Sequence, residues 1–206
     1  MPYFTVFTPT YNRAYILPKL YQSLREQTCK DFEWMIVDDG STDDTGKLVA
    51  QWEDQNNGFE IHYYKIQNGG KPRAINFGIT KANGDFFFMV DSDDRLTTDA
   101  VQKMLLWCKE IEDDPTFVGV GAARGYPDGS YLKGTAPRTN EHGYVDATNL
   151  DRNKYDLDAD MCEAYKVSVF QQFPMAEWPG EKFAPEQIAL NEIALSGYKL
   201  RWHKDI

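Results

Sequence analysis

Residues 91 to 94 read Asp-Ser-Asp-Asp and follow directly on the apolar run Phe86-Phe87-Phe88-Met89-Val90. In an extended segment residues i and i+2 point to the same side, so Asp91 and Asp93 converge within reach of one hard cation. Like charges held together raise the pKa of one of the pair, and a divalent ion relieves this. Magnesium or manganese, which favour carboxylate, water and phosphate oxygens, suit the ligand set. Taken alone, the same acids equally suit an N-cap and turn ahead of a helix starting near Thr98.

Two other stretches carry chemistry. In Asn68-Gly69-Gly70-Lys71-Pro72-Arg73 the glycines let backbone approach a ligand closely and Pro72 suits a helix's first turn. The exposed amides there, with Lys71 and Arg73, make an anion site, although a flexible turn with two solvated cations reads as well in isolation. In Asp38-Asp39-Gly40-Ser41-Thr42-Asp43, Asp39 is suited to accept a hydrogen bond from a base N–H, whereas Ser41 or Thr42 is suited to cap the next helix.

The elements that position these residues alternate in period. Strand-like runs at Tyr3 to Thr8, Phe32 to Val37, Ile61 to Ile66 and Asp85 to Val90 are separated by helical spacings. The helical residues are Ile16, Leu17, Leu20 and Leu24, then Leu48, Val49 and Trp52, then a helix from Pro72, then Thr98 to Glu112. Such alternation predicts crossover connections and a mostly parallel sheet covered by helices. Ligands then gather beyond the carboxyl ends of the strands, where all three stretches and Thr8 to Arg13 fall. After about Ala123 the pattern changes. A Pro-Asp-Gly-Ser turn within Gly125 to Gly134 predicts a hairpin, Arg138 to Asp160 reads as loop, and Pro185 to Ser196 reads as helix before a last strand. One fold over 1–206 with two functional halves, 1–123 and 124–206, is expected. The strand-like end at Tyr198 to Ile206, without a polar tail, points to a further C-terminal segment.

Composition bounds the partners. A chain of 206 residues, 42% hydrophobic, buries a substantial core, which argues against disorder. The net charge of -10 repels nucleic acid and anionic lipid, so a phosphate-bearing ligand needs a local counter-charge. Cys29, Cys108 and Cys162 are odd in number and widely spaced, which indicates reduced thiols in a cytoplasmic protein. No charged leader opens the sequence and no apolar run approaches the ~20 residues that cross a bilayer, leaving peripheral association as the form of membrane contact open to it. His62 and His142 lack ligand spacing, and His203, near the end of the last strand, reads as a surface imidazole, with an approach to a metal as its other reading. Trp52 and Trp107 read as helix packing, as does Trp178, with an acceptor platform beside Pro179 as its other reading.

The ordered set TPTYNR (8 to 13), VDDGSTDDT (37 to 45), NGGKPRAINFGI (68 to 79) and VDSDD (90 to 94) resembles glycosyltransferase family 2. Four motifs in order are far more specific than any one of them. The resemblance implies a GT-A fold, a Rossmann-like α/β sheet with a smaller acceptor-side subregion. It further implies metal-dependent, hexosyltransferase-like transfer of a sugar from a UDP-sugar to a glycan or lipid-linked acceptor in building a bacterial surface polysaccharide. Carried over by position, Thr8, Pro9 and Tyr11 lie against the base and Asp39 binds its edge. Lys71 supplies a cation near the nucleotide, Asp91 lies near ribose and metal, and Asp93 ligates Mn2+ or Mg2+. Arg13 and Arg73 fall on the phosphate side or order the loops.

Sugar transfer needs a carboxylate to take the acceptor's proton, and in an inverting enzyme it lies across the sugar from the metal. The family places this base in a Glu-Asp pair opening a helix. Here the pair reads Glu186-Gln187, which makes Glu186 the candidate, with Glu181 and Asp160 in reserve. The first-turn position behind Pro185 also suits Glu186 to a plain helix-dipole role. Gln187 cannot take a proton, which keeps a non-catalytic nucleotide-sugar-binding protein as the alternative. A sugar-nucleotidyltransferase would show a Gly-rich triphosphate loop where Thr8-Pro9-Thr10-Tyr11 stands. The Gln-x-x-Arg-Trp signature of processive synthases is absent, since Tyr198 precedes Arg201-Trp202, and single additions are expected.

Overall fold

The computed structural model describes residues 1–206. Its first half alternates as read: β1 (Phe4–Thr10), α1 (Leu17–Arg25), β2 (Phe32–Asp38), α2 (Thr45–Glu53), β3 (Ile61–Lys65), α3 (Lys71–Ile79), β4 (Phe86–Met89) and α4 (Ala100–Ile111). The remainder is β5 (Phe117–Ala123), β6 (Tyr144–Ala147), β7 (Met161–Lys166), the one-turn α5 (Val167–Phe170), α6 (Gln187–Leu195) and β8 (Lys199–His203). One sheet holds all eight strands in the order β3-β2-β1-β4-β7-β5-β8-β6. β1 pairs in parallel with β2 on one side and β4 on the other, while β7 lies antiparallel between β4 and β5 and β6 antiparallel on β8. Strand order therefore reverses at β1, and the loops after β1 and β4 leave the sheet side by side.

Both faces of the sheet are covered, and the strand period of two shows how. Phe4, Val6, Trp34, Ile36, Phe86 and Phe88 join one core with Leu17, Leu20, Leu24, Val49, Trp52, Val101 and Met104 from α1, α2 and α4. The intervening Phe7, Met35, Val37 and Phe87 join a second core with Ile75, Phe170, Leu190, Ile193 and Trp202. Helices on both faces bury β1, β2 and β4 almost throughout, and the buried Thr5 and Glu33 that interrupt their apolar runs are hydrogen-bonded to each other. Trp52 packs as expected, its ring 4.2 Å from Tyr21 and 5.7 Å from Trp34. Burial of each such side chain contributes about 2–3 kcal/mol, enough to hold the strand ends rigid beneath the loops they carry.

Several expectations for the second half are corrected. Residues 138 to 160 hold β6 and a 3-10 turn over Asn149–Tyr155 rather than loop alone. The expected hairpin at Gly125 to Gly134 reduces to one bridge, Gly125 to Tyr131. His203 is buried, not a surface group. It stacks on Trp107 at 3.9 Å, and burial first, then Arg201, holds its pKa down to about 3.

Candidate active site

The loops beyond β1 to β4 are fastened to one another by side chains the sequence places at their tips. Asn12, in the left-handed region at φ 52, accepts from the Thr42 amide at 2.7 Å, and its own amide donates to Ser41 Oγ at 2.8 Å. Ser41 thus ties two loops and does not cap α2, whose first residue is Thr45. Asp39 is buried and its carboxylate accepts from the Gly69 amide at 2.7 Å, the Gly70 amide at 2.8 Å and Asn68 Nδ2 at 2.9 Å. Three acceptor positions go to the glycine loop, which leaves one for a ligand. Thr8 is buried and accepts from Trp34 Nε1 at 3.0 Å, Pro9 sits opposite Val37, and Tyr11 is 47% exposed at the mouth.

Lys71 is the hub of the charged groups. Its ammonium lies 2.8 Å from Asp91 Oδ1 and 2.9 Å from Glu186 Oε1, bringing the end of β4 to the start of α6. A second cation, Arg124, follows β5 and reaches Asp94 at 2.9 Å, Asp160 at 2.8 Å and Asp91 at 3.4 Å. Burial raises the Asp91 carboxyl, but Lys71 and then Arg124 outweigh it and hold the group below the usual carboxylate range. Asp94 goes the other way, pushed up by burial and by Asp91 and Asp93 against the pull of Arg124. The acid run does not cap α4, which starts at Ala100 with Asp99 at its N-cap.

Residues 175 to 186 form a strap across the glycine loop. Gly70 has φ +96, and a Cβ there would lie 1.7 Å from the Lys182 carbonyl oxygen, so only glycine lets the strap close. Asn76 and Arg73 hold Glu177 at 2.7 and 3.1 Å. Arg73 therefore turns to the strap, a loop-ordering position. Glu181 is exposed on the strap, and Glu186 ends it as the N-cap residue of α6 without a side-chain capping bond. Gln187 is hydrogen-bonded to Asn149 at 2.8 Å. Beside Glu186 opens a cleft of about 440 Å3 that Asp160, Glu163 and Arg152 also line.

No three His, Cys, Asp or Glu side chains are gathered to hold a metal by protein ligands alone. The available set still fits an ion of the magnesium class, which commonly takes one or two carboxylates and completes its shell with phosphate and water oxygens. Asp93 is half-exposed and its one ion pair, with Arg13, is long at 3.6 Å, which leaves its carboxylate open to a further cation. Asp91 is the more committed of the two.

The family model described as glycosyl transferase family 2 matches residues 5–173. The chain belongs to glycosyltransferase family 2. Within the family it is 32% identical over 139 residues to poly(ribitol-phosphate) beta-N-acetylglucosaminyltransferase TarS of Staphylococcus aureus, covering 65% of this chain and 24% of that protein. It is 34% identical over 107 residues to GalNAc(5)-diNAcBac-PP-undecaprenol beta-1,3-glucosyltransferase of Campylobacter jejuni, 51% of this chain and 34% of that one. The crystal structure of TarS 1-349 in complex with UDP-GlcNAc superposes with TM-score 0.74 at 21% identity, over 100% of this chain and 57% of that chain. The mannosyltransferase PcManGT from Pyrobaculum calidifontis, in complex with GDP-Man and Mn2+, gives 0.68 at 18%, over 98% and 57%. These likenesses establish the GT-A fold expected from the sequence motifs, and the chain spans only part of each relative.

The family's four motifs thus lie on one sheet edge, bound to one another. Arg124, Arg152 and Glu163 stand outside the sequence expectations. Arg124 follows β5, a run of Val, Gly and Ala, and Glu163 lies within β7, which follows a stretch that reads as loop. A buried acid in an otherwise apolar strand, Glu163 between Cys162 and Ala164, is the one available cue.

Proposed function

We propose that this chain transfers one sugar per encounter from a UDP-sugar to an acceptor hydroxyl, with inversion at the anomeric carbon. The observation that carries the reading is Lys71, a single cation held between Asp91 on the side of the donor motifs and Glu186 at the acceptor cleft. In this reading Thr8, Pro9 and Tyr11 border the base, the remaining acceptor position of Asp39 receives a base N–H, and Lys71 faces the diphosphate. Asp91 and Asp93 would hold Mn2+ or Mg2+, which when bound neutralises charge developing on the leaving diphosphate. Lys71 adds to that neutralisation from the protein side. Glu186 receives the acceptor proton as the anomeric C–O bond to the acceptor forms and the bond to UDP breaks. Support for UDP comes from the TarS complex with UDP-GlcNAc, and support for Mn2+ from the PcManGT complex.

The acceptor proposed is a growing bacterial surface glycan or its lipid-linked precursor, in keeping with the undecaprenol-linked substrate named for the Campylobacter relative. The contact proposed with such an acceptor is peripheral, at the cytoplasmic membrane surface; no helix of this chain is long and apolar enough to cross a membrane. Gln187 favours a second reading, a protein that binds nucleotide-sugar without turnover, because its amide holds Asn149 and takes no proton. A thermal-shift panel of nucleoside diphosphates with and without Mn2+, followed by UDP-sugar hydrolysis, tests both. Stabilisation by UDP only with metal is expected, and turnover lost in Glu186→Gln separates the two readings. An equal response to every nucleotide, or none, would reject both.

A further inference from the structure

The cleft of about 440 Å3 beside Glu186 lies within the range of small-ligand sites. Its ionisable lining is one-sided: Asp158, Asp160, Glu163 and Glu186 against Arg152 alone. Arg152 is already committed, donating to the carbonyls of Leu157 at 2.6 Å and Ala159 at 2.7 Å, with Glu163 at 3.5 Å and its guanidinium 4.9 Å from the Trp202 ring. The cations just outside the lining are shared as well. Lys71 serves Asp91 and Glu186, Arg124 serves Asp91, Asp94 and Asp160, and Lys133 serves Asp156 and Asp158.

An entering phosphate or carboxylate would meet four acids and find no ammonium or guanidinium without a partner. Sugar hydroxyls meet the reverse situation, since carboxylate oxygens accept from O–H groups without limit of charge balance. Leu150 and Leu190 add apolar surface to the same lining, which suits the C–H face of a sugar ring. We infer that this cleft receives an uncharged saccharide end and excludes acceptors that carry phosphate or carboxylate at that end. The inference rests on the glycosyltransferase reading above and names its acceptor class. It separates this chain from a relative whose name specifies a poly(ribitol-phosphate) acceptor. Glu163 adds a detail to the floor: burial holds its carboxyl up to about 7, so near neutral pH it can donate to, or accept from, a hydroxyl.

The test is direct binding by saturation-transfer NMR at low salt, with methyl glucoside and maltose as uncharged probes and glucose 6-phosphate and glucuronic acid as charged ones. Each is measured with and without UDP and Mn2+. The uncharged probes are expected to bind at least about ten-fold more tightly than their charged counterparts. Asp158→Asn, at an exposed position, leaves Lys133 free of its nearest carboxylate and is expected to narrow that ratio to about three-fold or less. Equal or tighter binding of glucose 6-phosphate to the unaltered chain overturns the inference, as does binding of none of the four probes. A ratio unmoved by Asp158→Asn overturns the electrostatic explanation. Saccharide binding is read without UDP too, so a chain that fails to bind UDP sinks the donor reading while this result stays legible.

Discussion

The Lys71 ammonium stands 2.9 Å from the Glu186 carboxylate, joining the first residue of α3 to the N-cap of α6. Since Asp91 lies 2.8 Å from the same nitrogen, removing the cation sets two acids against each other. Lys71→Met is expected to weaken metal-dependent UDP binding about ten- to a hundred-fold, the size of one or two lost charge-assisted contacts. Global stability should fall only by about 1 kcal/mol, because all three groups are partly solvated. Calorimetric titration with UDP and urea denaturation measure the two quantities, and unaltered UDP affinity would take Lys71 out of the donor site.

Gly70 is the second hinge of the arrangement. Alanine there would combine a left-handed φ with a Cβ driven against the Lys182 carbonyl, and backbone cannot step aside as a side-chain tip does. Strain of this kind costs about 1–3 kcal/mol. Gly70→Ala is expected to lift the strap and part Glu186 from Lys71. Faster amide exchange in residues 176 to 186, together with lost turnover, is the outcome to look for; exchange rates equal to those of the parent would show that the strap is held elsewhere.

These two residues also show what could be read in advance. The loop bearing Gly70 and Lys71 sits between elements with clean periods, a strand ending at Lys65 and a helix opened by Pro72, so its place at the sheet edge followed from pattern. Asp91 and Asp93 were legible for the same reason. Glu186 could be placed on a helix start but not against Lys71, because that contact spans more than a hundred residues and depends on the strap. Arg124 was hidden by β5, whose Val-Gly-Val-Gly-Ala-Ala run is too poor in side chains to announce a strand. Its two glycines allow close packing instead: a Cβ at Gly119 would meet the Ala164 carbonyl oxygen at 2.0 Å and one at Gly121 the Trp202 ring at 2.4 Å. His203 misled because burial behind Trp107 is a tertiary fact that a terminal histidine does not advertise.

Asp93 offers a cleaner separation of binding from folding. Its side chain is 49% exposed and its one ion pair, to Arg13, is 3.6 Å long. Asp93→Ala should therefore change unfolding free energy by no more than about 0.5 kcal/mol. If the residue ligates a divalent ion, the same variant should lose the extra thermal shift that Mn2+ gives in the presence of UDP. A Mn2+-dependent shift as large as that of the parent would remove Asp93 from the metal site.

Glu163 makes the last prediction, and its sign follows from proton counting. Burial pushes its carboxyl up to about 7 against the opposing pull of Arg152 and Arg124, whereas an unfolded glutamate titrates near ~4.3. Between those values the folded chain keeps a proton that the unfolded chain has released, so stability falls as pH rises across the interval, and the full deficit is reached above it. Its size is on the order of 3 kcal/mol. Glu163→Gln keeps the shape and removes the ionisation, so its stability should match the parent near pH 4 and exceed it at pH 8. Urea denaturation at both values decides this: parent and variant curves that stay parallel from pH 4 to 8 would mean that the acid is already ionised in the folded chain. In that case the floor of the cleft carries a full negative charge at neutral pH, and its preference for uncharged sugars should be steeper than a protonated Glu163 would allow.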